Sequence, residues 1–161
     1  MPSSPPADDR YAALGQVVEM AAIMEISLRM AFGALVGGPY AAVVASRQET
    51  HWLIENCEAV ARRHAELPQA RRDAILHALR ACRQANHDRN RLVHDAWGTG
   101  PGGGAVVVRS ARRSYEIAGP AWDAGQIAVV AAAITAAQAA LLTAIEDALG
   151  ADRLLPAQSR Y

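Results

Sequence analysis

The chain has 161 residues, enough for one domain with a real hydrophobic core. Hydrophobic residues make up 52% of it, much of that alanine, with one phenylalanine, Phe32, so closely packed helices are favoured over a β-sandwich. The 16 basic and 16 acidic residues cancel, which excludes a uniformly basic surface and leaves only local patches for any nucleic-acid contact.

Residues 1–7 read as a frayed tail. Asp8 or Asp9 is expected to cap a first long helix, whose apolar row is Val17, Met20, Met24, Leu28, Phe32 and Leu35. Gly37, Gly38 and Pro39 end it. A short helix is expected at Tyr40–Ala45. Ser46, with Glu49 three residues on, then predicts a capping box opening a second long helix with an inner face of Trp52, Leu53, Cys57, Val60 and Ala61.

The third long helix is expected from about Pro68, which suits a first turn, to Asp95. The glycines of 98–104 predict a loop. Ala105–Arg109 and Ser114–Ile117 predict a short β-hairpin turning around Ser110–Arg113. Asp123 and Gln126 predict a capping box for a fourth long helix. That helix is lined by Ile127, Val130, Ile134, Leu141, Ile145 and Leu149 and stopped by Gly150, with 151–161 a loose tail. The sum is all-α: one domain over 1–161, a four-helix up-and-down bundle with a short β-hairpin (105–117) inserted before the last long helix.

The segment Arg89-Asn90-Arg91-Leu92-Val93-His94 carries the chemistry. At 100° per residue, with Ile75 as zero, Leu79, Cys82, Val93 and a continuing Trp97 fall within about 40° of one stripe. Asn86 (about +20°), Arg89 (about −40°) and Asn90 (about +60°) interrupt that stripe, and His94 flanks it at about +100°. Polar groups on a face due for burial are costly unless paired. Asn90 and His94 are within reach at i, i+4. Arg89 and His94 diverge by about 140°, a gap closed by the length of arginine, by the helix ending between them, or by a second subunit. A structural role, such as an ion pair with Glu25, is the competing reading.

Arg-Asn-x-x-x-His closing a long helix in an all-helical domain resembles the HEPN family, named from higher eukaryotes and prokaryotes nucleotide-binding proteins. Arg89, Asn90 and His94 fit its Arg, polar residue and spaced His, and the four-helix layout over roughly 8–150 fits its bundle. The resemblance implies a metal-independent endoribonuclease without cofactor, acting as a homodimer whose two motifs share a cleft. It also implies a place among toxins, antiviral defence or RNA processing, and an antitoxin or other regulatory protein as partner.

The residues support that chemistry directly. An imidazole with an ordinary pKa near 6.5 serves as base or acid at neutral pH, so His94 suits proton transfer. Arg89 can clamp a phosphate through a charge-assisted fork. Asn90 can orient His94 or a phosphate oxygen. The partner's His94 is the expected source of the second proton transfer, and a 2′,3′-cyclic phosphate is the expected product.

Further RNA contacts are expected from Asn86, from Trp97 by stacking, and from Arg109, Arg112 and Arg113 at the hairpin turn. His51, His64 and His77 are scattered without metal-ligand spacing, so no metal site is expected. Arg62-Arg63 and Arg71-Arg72 read as solvated faces. Every basic side chain is arginine, which we read as codon usage. Cys57 and Cys82 are isolated and read as reduced core residues of a cytosolic protein. The polar, proline-rich start reads as neither a signal peptide nor a membrane anchor. Ala124–Ala144 is uncharged and long, but Gln126, Thr135, Gln138 and Thr143 interrupt it, so a buried helix is expected. A non-catalytic HEPN-like module, binding a nucleotide or protein through the same cleft or only dimerising, is the alternative. A purely structural Arg-His segment in a helical interaction protein is the third reading.

Overall fold

The computed structural model describes residues 7–94, 96–99, 105–111, 114–120 and 122–154. The chain is mostly helical. Four long helices, α1 (Ala7–Val36), α3 (Thr50–Arg63), α4 (Gln69–His94) and α5 (Ala124–Leu149), form a helical bundle, with a short α2 (Ala41–Ala45) between the first two. Contacts close a ring: α1 lies on α5, α5 on α4, α4 on α3 and α3 on α1.

The apolar rows build the interior. Val17, Met24, Leu28, Phe32 and Leu35 of α1 are buried, with Met20 packed at the edge. They meet Leu53, Ile54 and Cys57 of α3, Ile75, Leu79, Cys82 and Leu92 of α4, and Ile127, Ile134, Leu141 and Ile145 of α5. Buried Ala131, Ala137 and Ala144 let α5 approach its neighbours closely, and α1 is the helix it covers most extensively. The Phe32 and Trp52 rings, 5.4 Å apart and tilted, join α1 to α3.

Both cysteines sit in this core. Cys57 Sγ donates to the Leu28 carbonyl across to α1, and Cys82 Sγ donates to the Ala137 carbonyl across to α5. Burial pushes both thiols up to about 12.

Several helix ends follow the local chemistry. Gly37, at φ +70°, ends α1 in a left-handed conformation, its N–H donating to the Gly33 carbonyl. Asp123 and Gln126 form the expected reciprocal capping box of α5, and Gly150, at φ +92°, terminates that helix.

Other boundaries differ from expectation. Asp8 and Asp9 lie inside the first turn of α1 rather than before it. Ser46 does not open α3: its hydroxyl donates back to the Val43 carbonyl and finishes α2. Consequently α3 starts at Thr50, after an extended Glu49 whose side chain makes no cap. On α4 the buried face includes Leu92 rather than Val93, which is half-buried. Arg72 is not solvated. Its Nη2 donates to the carbonyls of His64 and Leu67, holding the turn between α3 and α4. Residues 151–153 are a turn of 3₁₀ helix rather than loose chain, while 155–161 and the expected tail over 1–6 lie outside the described residues.

The expected hairpin is present and larger. Three antiparallel strands in the order β1-β2-β3 span Ala96–Thr99, Ala105–Ala111 and Ser114–Pro120. Trp97 pairs with Val107 and Arg109 with Glu116, with a bulge between Val107 and Val108. β1 replaces part of the expected glycine loop, and Trp97 leaves the helical stripe because α4 ends at His94.

α5 is not a wholly buried helix. By length and composition it could cross a membrane, yet only 33% of its most apolar stretch is buried in the bundle. One face carries the core row, and the other exposes Val129 and several alanines.

Candidate functional site

α4 carries Asn86, Arg89, Asn90 and His94 to the wall of one cleft of about 440 Å³. The first three sit where the polar interruptions of the apolar stripe place them, half-buried at its margin. His94 is the last helical residue and is exposed. The opposite wall comes from Glu25 and Arg29 of α1, from Arg47, Gln48 and Glu49 of the turn after α2, and from Thr50 and His51 of α3.

The polar contacts divide these groups into two sets. Arg29 is committed to the fold: its guanidinium pairs with Glu25 and donates to the carbonyls of Ala45 and Gln48. Thr50 Oγ1 donates to the other Glu25 oxygen at 2.9 Å. This network ties α1 to the end of α2 and the start of α3, and it spends both oxygens of Glu25.

Arg89 belongs to the other set. Its Nη1 donates to Asn90 Oδ1 at 2.9 Å. Its Nε is buried and has no hydrogen-bond partner among the described residues. No described carboxylate lies within 4.0 Å of Arg89, so Glu25 does not neutralise it. Arg47 on the rim is exposed and likewise makes no ion pair among the described residues. His51, at the start of α3, sets Nε2 3.2 Å from Glu55 Oε1, one turn along its own helix.

The expected site residues thus separate. Arg89, Asn90, His94 and Asn86 share the cleft. Trp97 and Arg109 are placed on β1 and β2, but their side chains lie outside the described part of the structure, as do Arg112 and Arg113 altogether. Arg29, Arg47 and His51 were missed as cleft residues. The available signals were the i, i+4 pairs Glu25–Arg29 and His51–Glu55, which mark ordered polar faces on α1 and α3. Among the described residues, no group of three or more His, Cys, Asp or Glu side chains is arranged to hold a metal ion.

The cleft can present a forked cation, a carboxamide and two imidazoles to a ligand while two carboxylates limit its positive charge. No family model matches the chain, and no curated protein or solved structure matches it.

Proposed function

We propose that the chain is a metal-independent endoribonuclease with an HEPN-like four-helix up-and-down bundle. What carries the reading is that Asn86, Arg89, Asn90 and His94 line one cleft while Arg89 keeps its charge free of any described carboxylate. The Arg89 Nε is buried without a partner, a costly state, and its remaining guanidinium N–H groups are the ones an anion in the cleft would meet.

In this reading an RNA phosphate docks on Arg89, with Asn90 holding the guanidinium from the side. His94 takes the proton of the neighbouring 2′-hydroxyl, and the 2′-oxygen attacks phosphorus. Arg89 stabilises the charge that gathers on the phosphoryl oxygens. The products are a 2′,3′-cyclic phosphate and a 5′-hydroxyl. Asn86 contacts the strand within the cleft, and Trp97, Arg109, Arg112 and Arg113 guide it by stacking and charge.

The family resemblance adds that the protein works as a homodimer, as a toxin or an antiviral defence component under the control of an antitoxin or similar regulator, and the isolated cysteines Cys57 and Cys82 point to the cytoplasm. Incubating purified protein with labelled RNA in excess chelator tests the reading. Cleavage is expected from the wild type and absent from His94→Ala.

A non-catalytic HEPN-like nucleotide- or protein-binding dimerisation module is the second reading. Glu25 and Glu49 on the cleft wall favour it, since they repel a polyanion. Phosphate-dependent binding without turnover would identify it.

A further inference from the structure

Strand scission by a 2′-hydroxyl needs two proton transfers, one from the attacking oxygen and one to the leaving oxygen. The resemblance assigns the second to the partner's His94. The cleft itself holds another imidazole. α3 and α4 run antiparallel, joined by a short turn, and Arg83 Nη2 donates to Glu58 Oε1 at 3.0 Å, which sets their register. Seven residues are nearly two helical turns and return to almost the same face. Stepping seven back from Glu58 reaches His51, and seven on from Arg83 reaches Asn90. His51 and Asn90 are therefore brought to within about a turn of each other on the two helices, and both line the cleft with His94.

The surroundings of His51 suit a proton donor. Glu55 Oε1 lies 3.2 Å from Nε2 in an exposed i, i+4 pair, which leaves Nδ1 as the nitrogen to exchange a proton. The charged groups facing it are Glu25 and Arg29 of α1, paired with each other, Arg47 and Glu49 of the turn, Glu55 of its own helix, and Arg89 with His94 of α4.

Building on the ribonuclease reading, we infer that His51 is the general acid of this cleft, so that one chain holds both proton-transfer groups. His94 accepts the 2′-hydroxyl proton as the 2′-oxygen–phosphorus bond forms. The phosphorus–5′-oxygen bond breaks, and the 5′-oxygen takes the Nδ1 proton of the His51 imidazolium. His94 ends protonated and His51 neutral, and water returns both to their starting states.

The test compares two substrates with the full-length protein in chelator. One is an RNA oligonucleotide, whose alkoxide leaving group needs a proton. The other is a nucleoside 3′-(4-nitrophenyl phosphate), whose phenolate leaves without one. His51→Ala is expected to lower RNA cleavage about 100-fold and abolish the alkaline limb of its pH–rate profile. It should leave the aryl ester cleaved within a few-fold of wild type. His51→Gln, which keeps the side chain polar and of similar bulk, should behave alike, and His94→Ala should lower both reactions. Equal loss on both substrates, or an unchanged pH profile for RNA, would overturn the role of His51 while leaving the ribonuclease reading in place. A wild type that cleaves neither substrate overturns both.

Discussion

Arg89 and Asn90 are neighbours in sequence, and Arg89 Nη1 donates to Asn90 Oδ1 at 2.9 Å while the buried Arg89 Nε keeps no partner among the described residues. Arg29, by contrast, holds its part of the bundle through an ion pair with a carboxylate. Glu25, one of two acidic residues on the same cleft, is spent on Arg29 and Thr50 instead. Arg89 therefore makes no ion pair with a described carboxylate of the cleft.

Replacing Arg89 should separate activity from stability. Arg89→Ala is expected to lower RNA cleavage roughly 10²- to 10³-fold, the usual loss for one group that stabilises transition-state charge. Arg89→Lys should restore little, because a point charge lacks the fork. Urea midpoints should move far less than for a core deletion. A large drop in stability with proportionate loss of activity would return Arg89 to a structural role.

Glu25→Gln addresses the opposite set of contacts. It removes the charge from a network joining α1, α2 and α3, and about 1 kcal/mol of stability should go with it, a value kept small because the Glu25 and Arg29 side chains are about a third exposed. Urea unfolding of the variant checks this. A neutral result would mean that Arg29 and Thr50 are held by the backbone contacts alone.

The last turn of α4 depends on one apolar anchor. Leu92 is buried two residues before His94, so Leu92→Ala should cost about 2–4 kcal/mol and loosen the His94 end of the helix. At the start of α5, Asp123→Ala should cost about 1 kcal/mol through loss of the capping box. Chemical denaturation with amide exchange near His94 distinguishes the two, since only the first should raise exchange there.

The thiols give a pH prediction. Burial raises Cys57 and Cys82 from an ordinary 9.0 to about 12 in the folded chain. A raised pKa means that the folded state favours the protonated form. The resulting stability is whole below about pH 9 and drains away as pH climbs toward 12. Urea midpoints at pH 8 and pH 10.5 should fall more in the wild type than in a Cys57→Ala/Cys82→Ala variant. Iodoacetamide at pH 8 should leave both thiols unmodified until denaturant is added.

Much of this architecture was legible because its signals are local. The capping box at Asp123, the glycines at 37 and 150, and the three- and four-residue steps of the α1 and α5 rows each act within a turn or two of helix. The misread start of α3 is local too, but ambiguous: Ser46 can cap forward or bond backward, and the Val43 carbonyl won. β1 escaped notice because its partner, β2, lies across the glycine stretch, and strand pairing is not written in either segment alone. The α4 half of the cleft was visible as polar breaks in an apolar stripe. The other half was not, since residues 25–29 and 47–51 meet residues 86–94 only through tertiary packing.

The most direct measurement is the chemical identity of the RNA ends made by the purified protein in excess chelator, read by mass spectrometry for the wild type and His94→Ala. The wild type should yield 2′,3′-cyclic phosphate and 5′-hydroxyl ends, and the variant should leave the RNA intact. Intact RNA from both, or the same ends from His94→Ala, would contradict the ribonuclease reading.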